Sequence, residues 1–105
     1  MKEITVKELK EKIDRKETFQ LIDVREPHEH DYANISGELI PMNQIITQKE
    51  KIQSDKPVII YCRSGNRSAV VIQALEQRFG FTNLYNLKGG ILAWSREIDP
   101  SVPEY

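Results

Sequence analysis

The chain has 105 residues, 39% of them apolar and 30% charged, with a formal net charge of −1 and one cysteine, as expected of one soluble globular domain with a single core. So small a net charge excludes a global field that recruits nucleic acid or an anionic membrane, and any anion chemistry must come from a local site. No apolar run approaches the roughly 20 residues needed to span a bilayer, MKEITVKELKEKI is charged throughout, unlike a signal peptide, and one cysteine excludes an internal disulfide and, by itself, a thiolate zinc site; a free thiol of this kind suits the reducing cytoplasm.

Taken in chain order, Ile4 suits a short edge strand, and Thr5 and Glu8 have capping-box spacing. Leu9 and Ile13 then mark one face of a helix running to about Lys16. FQLIDV, 19–24, reads as a buried strand. REPHEHDY is expected to be a loop with a short helical turn opened by Pro27. ISGELIP is a short extended piece bounded by Gly37 and Pro41. MNQIITQKEKI, 42–52, predicts a weak helix, and KEKIQSDK a solvated face. PVIIY, 57–61, is an apolar run rich in β-branched residues, of the kind buried on both faces of a parallel sheet. From Ser68 to Phe79 the apolar positions 71, 72, 75 and 79 predict a helix, with Gly80 as its C′ residue. LYNL, 84–87, reads as a strand, Gly89-Gly90 as a turn, and ILAWSREI, 91–98, as a last helix. No repeat, low-complexity segment or linker interrupts this order. The tail DPSVPEY, 99–105, is expected to run over the surface or fray. The alternation argues for one α/β domain with its core over about 3–98, a central, mostly parallel five-stranded sheet flanked by helices on both faces. Ligands bind such sheets beyond the carboxyl ends of the strands, where Cys62 follows PVIIY.

Between that strand and the next helix lies Cys62-Arg63-Ser64-Gly65-Asn66-Arg67-Ser68. Backbone N–H groups of such a loop can converge on one point, as in other strand–loop–helix anion sites. Gly65 permits a positive φ, the following helix adds its positive end, and Arg63 and Arg67 add two fixed charges. All of these favour thiolate over thiol and make Cys62 a nucleophile. Judged by residue type, a lone cysteine after VIIY is an inert core thiol and the arginines are solvated. The Gly-containing loop with two arginines and an immediate helix start argues instead for an anion-handling cysteine.

CRSGNRSA resembles the active-site loop of the rhodanese-like domains. The resemblance continues in LIDVREPHEH, 21–30, in YANISGELIPM, 32–42, in KPVIIYCRSGNRSA, and in FTNLYNLKGGILAW, 81–94, four motifs in the family's order. It implies a single-domain sulfurtransferase. A donor such as thiosulfate would pass its outer sulfur to Cys62, and the persulfide would hand it to a thiophilic acceptor, cyanide or a thiol. The resemblance assigns Cys62 as the nucleophile and Arg63, Ser64, Gly65, Asn66 and Arg67 as the substrate-binding cradle. The partners are then a small anionic sulfur donor and possible protein donors or acceptors, with no metal and no organic cofactor. Asn34 stands where the family often has histidine and Glu38 where it often has alanine, a departure at the mouth of the site rather than in the loop.

Two other readings remain open. Phosphatases and arsenate reductases that share this fold have five residues between cysteine and arginine, whereas four separate Cys62 from Arg67 here, a smaller cradle without a general acid. A relay or regulatory module, taking sulfur from a protein, fits the same residues. Elsewhere the expectations are mostly structural. Asp23 and Arg25 have two readings, a contribution to the site or, the favoured one, a structural role in which Asp23 caps the chain leaving its strand and Arg25 pairs with a carboxylate. His28 and His30 lack a third metal ligand and belong to a solvated turn. Trp94 is core, with its indole N–H near a loop carbonyl.

Overall fold

In a computed structural model describing residues 1–105, the strands are β1 (Glu3–Ile4), β2 (Gln20–Asp23), β3 (Glu38–Leu39), β4 (Val58–Tyr61) and β5 (Leu84–Leu87). They form one sheet in the order β1-β5-β4-β2-β3, and every pairing is parallel. The helices are α1 (Val6–Asp14), α2 (Pro27–Tyr32), α3 (Asn66–Phe79) and α4 (Gly90–Glu97). This is the expected α/β architecture.

β4 is central because its sequence tolerates burial on both sides. All four of its residues are fully buried. Their alternation divides the core in two. Val58, Ile60 and then Cys62 pack with Val71, Ile72 and Leu75 of α3. Ile59 and Tyr61 pack with Leu9 of α1 and with Ile91 and Trp94 of α4. Cys62 thus continues the strand's alternation one residue past its end, on the α3 face. Each end of the sheet is a two-residue strand, which leaves little exposed edge to pair with other chains.

The Thr5–Glu8 capping box forms as expected: Glu8 N–H donates to Thr5 Oγ1 (3.1 Å) and Thr5 N–H to Glu8 Oε1 (2.9 Å). α1 ends at Asp14, two residues early. The predicted helix over 42–52 does not form. The segment is a series of turns ending in one 3-10 turn, Lys49–Lys51. Ile45, Ile46 and Thr47 are consecutive β-branched residues, poor helix formers. Ile45 and Ile52 are instead drawn one by one into the α3-side core. Gln20 fixes the segment's end, donating to Lys51 O (2.8 Å) and accepting from Gln53 N–H (2.9 Å).

Trp94 is core, as expected, but its indole N–H makes no hydrogen bond to a loop carbonyl. The tail runs over the surface, as expected, and is docked there rather than frayed. Val102 packs against the α1–α4 core and Tyr105 folds back to the cysteine loop.

Candidate active site

β4 delivers Cys62 to a position only 1% exposed. α3 begins at Asn66, two residues before the expected start, so Asn66, Arg67 and Ser68 form a helical turn rather than loop. Gly65 is its N-cap with φ 104°, a left-handed conformation that glycine adopts without strain. Cys62 Sγ accepts from Gly65 N–H (3.1 Å) and Ser68 N–H (3.4 Å) and lies 3.4 Å from Ser68 Oγ. The N–H groups of Arg63, Ser64, Asn66 and Arg67 make no hydrogen bond within the chain.

The direction of those amides has a cause outside the loop. The first N–H groups of a helix lack helical partners. In α4, Ile91 N–H donates to Cys62 O (3.0 Å) and Leu92 N–H to Arg63 O (3.1 Å). A trans peptide points its N–H opposite to its carbonyl, so the Arg63 and Ser64 amides turn away from α4, toward the cradle. Gly90 allows this approach. A Cβ there would lie 2.5 Å from both carbonyl oxygens.

Around this floor runs a rim of charged side chains. Arg67 forms a two-pronged pair with Glu29 of α2 (2.7 and 2.9 Å), and Tyr105 Oη donates to the same carboxylate (2.6 Å). The Arg67 hydrogen bonds, and then that of Tyr105, hold the Glu29 carboxyl well below the usual carboxylate range. Arg63 is exposed and donates through Nε and Nη2 to the Tyr105 carbonyl. Arg25 is fully buried and pairs with Asp23 (2.9 and 2.8 Å), while also donating to Ala33 O and, at 2.9 Å, to Tyr105 Oη. Asp23 Oδ1 accepts from Arg25 N–H at 3.0 Å, the expected cap at the end of β2. His30 Nδ1 lies 2.9 Å from Asp23 Oδ2, so His30 belongs to this pair rather than to a solvated turn. His28, Glu29, Tyr32 and Tyr105 line a shallow recess beside it.

The structure therefore gathers Cys62 to Arg67 around one point, as the loop motif suggested, but both arginines are already engaged by other parts of the chain. Ser64 and Asn66 are exposed. Three residues escaped the sequence reading as parts of the site, Glu29, Asn86 and Tyr105, and that reading gives Ser68 only as the end of the loop, with no role of its own. Asn86 is 4% exposed. It accepts from Ser68 Oγ at Oδ1 (2.5 Å) and donates from Nδ2 to Gly65 O (3.1 Å). Its signal was available: in LYNL it shares the parity of buried Leu84, so a polar side chain sits on a core face. Tyr105 gave no signal, because nothing in DPSVPEY has a period that predicts docking.

A family model described as "Rhodanese-like domain" matches residues 5–97. The chain is 38% identical to a "Sulfurtransferase" of Allochromatium vinosum over 95% of this chain and 94% of that protein. It is 36% identical to the "Probable adenylyltransferase/sulfurtransferase MoeZ" of Mycobacterium tuberculosis, covering 97% of this chain but only 26% of that protein. Among solved structures, a rhodanese-like domain protein from Staphylococcus aureus superposes with a TM-score of 0.84 at 33% identity, over 100% of this chain and 99% of that one. With four sequence motifs, a five-stranded parallel sheet and a cysteine loop all in agreement, the chain belongs to the rhodanese-like domain family.

Proposed function

We propose that this protein is a sulfurtransferase that carries sulfane sulfur as a persulfide on Cys62, working as one domain in the reducing cytoplasm. The observation that carries the reading is the division of the loop amides: two hold Sγ and four remain free around it. Such a cradle suits a second sulfur, or the negative charge that it brings, above the first. Relatives named as sulfurtransferases support the same reading.

In the first half-reaction the Cys62 thiolate attacks the outer sulfur of the donor. A sulfur–sulfur bond forms at Sγ, and the donor's own bond to that sulfur breaks. For thiosulfate, sulfite leaves with the electron pair. In the second half-reaction a thiophilic acceptor, cyanide or a thiolate, attacks the outer sulfur and Cys62 leaves as thiolate. This is ping-pong covalent catalysis, and it requires neither metal nor organic cofactor. The amides of Arg63, Ser64, Gly65, Asn66 and Arg67 line the cradle, and the two guanidinium groups attract the donor's anionic part.

A second reading, sulfur received from a protein persulfide, rests on the rim. Arg63 and Arg67 are held by Tyr105 and Glu29, so a small dianion must compete for them, whereas a protein-borne persulfide brings its own surface. Turnover with thiosulfate and cyanide separates the two. The enzyme reading expects saturable turnover that Arg67→Ala weakens at least about tenfold, with Arg78→Ala, at the far end of the same helix, unchanged. Absent turnover, with Cys62 loaded by a cysteine desulfurase, selects the relay. Failure of every donor to load Cys62 overturns both.

A further inference from the structure

Resting on this reading, a further residue governs the same sulfur. A hydroxyl has one hydrogen. The Gly65 carbonyl can only accept, so the Asn86 carboxamide must turn its NH2 toward Gly65 (3.1 Å) and its oxygen toward Ser68. Ser68 then has an acceptor for its single hydrogen, Asn86 Oδ1 at 2.5 Å. What Ser68 offers Cys62 Sγ, 3.4 Å away, is a lone pair. A thiol can donate to that lone pair, and a thiolate cannot. All three side chains are buried: Cys62 is 1%, Ser68 0% and Asn86 4% exposed. Water does not replace the bonds, and an orphaned Asn86 oxygen would carry the cost of a buried unpaired acceptor.

We propose that Asn86 is a positioning residue that disfavours the Cys62 thiolate relative to the thiol by holding the Ser68 hydroxyl hydrogen away from sulfur. It opposes the Gly65 and Ser68 amides, which favour thiolate. When Sγ is deprotonated, Ser68 must either remain beside it as an acceptor or turn its hydrogen from Asn86 to sulfur. Either choice loses a hydrogen bond that the thiol keeps. The charged and titratable groups around this point are Arg63 in the loop, Arg67 on α3 with its partner Glu29 on α2, Tyr105 on the rim, and the Asp23–Arg25 pair with His30 beyond the end of β2. Where β5 and α4 meet the loop they bring Asn86 and the backbone amides of Ile91 and Leu92, none of which titrates.

The test follows thiolate formation against pH by its ultraviolet absorbance, each variant read against the same variant carrying Cys62→Ser. With one cysteine in the chain the signal has a single source. Asn86→Leu, which keeps the branching of the side chain and removes the acceptor, frees Ser68 to donate to the thiolate. The midpoint moves to lower pH, with about threefold to tenfold more thiolate on the acid side, the worth of one buried hydrogen bond. Ser68→Ala also moves it to lower pH, because the thiol loses its acceptor. Adding Asn86→Leu to Ser68→Ala moves it no further. A midpoint that rises in Ser68→Ala means that Ser68 donates to the thiolate in the native protein, and it overturns the proposal even if Asn86→Leu fails to fold. An unchanged midpoint, or an Asn86→Leu shift that survives in the Ser68→Ala background, overturns it too. Sulfur loading of Cys62 is scored separately, so the role of Asn86 can fail while the sulfurtransferase reading stands, and the reverse.

Discussion

At the floor of the cysteine loop, every hydrogen-bond partner of Sγ is a backbone amide or a buried hydroxyl. At its rim, every contact involves a charged side chain, and each is matched within the chain. The floor is fixed by groups that belong to the fold itself: the first amides of α4, the αL glycine before α3, and Asn86 on β5. The rim is fixed by exchangeable pairs, Arg67 with Glu29 and Arg63 with Tyr105. Backbone geometry is insensitive to salt and to most substitutions, whereas partly exposed ion pairs are screened and re-formed at little cost. The difference teaches where each property resides. If Cys62 carries sulfur as proposed, the capacity to hold it belongs to the floor, and the choice of donor belongs to the rim.

That division can be broken most severely at Gly90. Gly90→Ala places a methyl group against the Cys62 and Arg63 carbonyls, at a residue with φ 60°. We expect a loss of about 3 kcal/mol or more in chemical denaturation and sulfur transfer below a tenth of normal. A variant of normal stability and activity would show that α4 does not orient the loop amides.

Glu29→Gln sharpens the rim. It removes a negative charge beside Arg67 while keeping the side chain's shape, so the KM for thiosulfate should fall about threefold while stability falls by about 1–2 kcal/mol. A raised KM would mean that Glu29 positions Arg67 rather than competing with the donor. The pH dependence has a definite sign. Because the folded carboxyl titrates below its unfolded value, the pair's contribution is complete above about pH 5 and is lost as the pH falls through the lower folded value. The stability gap between the native protein and Glu29→Gln should therefore be constant above that pH and narrow below it. A gap that widened on acidification would contradict the pairing.

The smallest effect belongs to Tyr105→Phe. It removes the hydroxyl shared by Arg25 and Glu29 but keeps the ring and the carbonyl on Arg63. Thermal or urea unfolding should show a loss of about 1 kcal/mol, with turnover within about twofold. A tenfold change in turnover would move Tyr105 from the rim into the chemistry.

Much of this was legible in the sequence, and the reasons are local. PVIIY announced a central strand because no solvent-facing position interrupts it. Thr5 and Glu8 announced α1 because both partners of the capping box lie within one turn. Cys62 and its loop were readable because amides, glycine and arginines sit within six residues. The unread parts depend on distant partners. Residues 42–52 have apolar positions that a helix could use, yet Ile45 and Ile52 find their places only when α3 is present. Glu29 and Arg67 are 38 residues apart and Arg63 and Tyr105 are 42 apart, with no periodicity to connect them. Asn86 was visible as a polar residue on a core face, but its partners were not.

The central claim is that Cys62 carries the sulfur. Intact-mass measurement after exposure to thiosulfate, a desulfurase persulfide or glutathione persulfide tests it directly. With at least one donor the account predicts a single addition of about 32 Da, removed by cyanide or a thiol and absent from Cys62→Ser. An unchanged mass with all three donors, or an equal addition to Cys62→Ser, would contradict it.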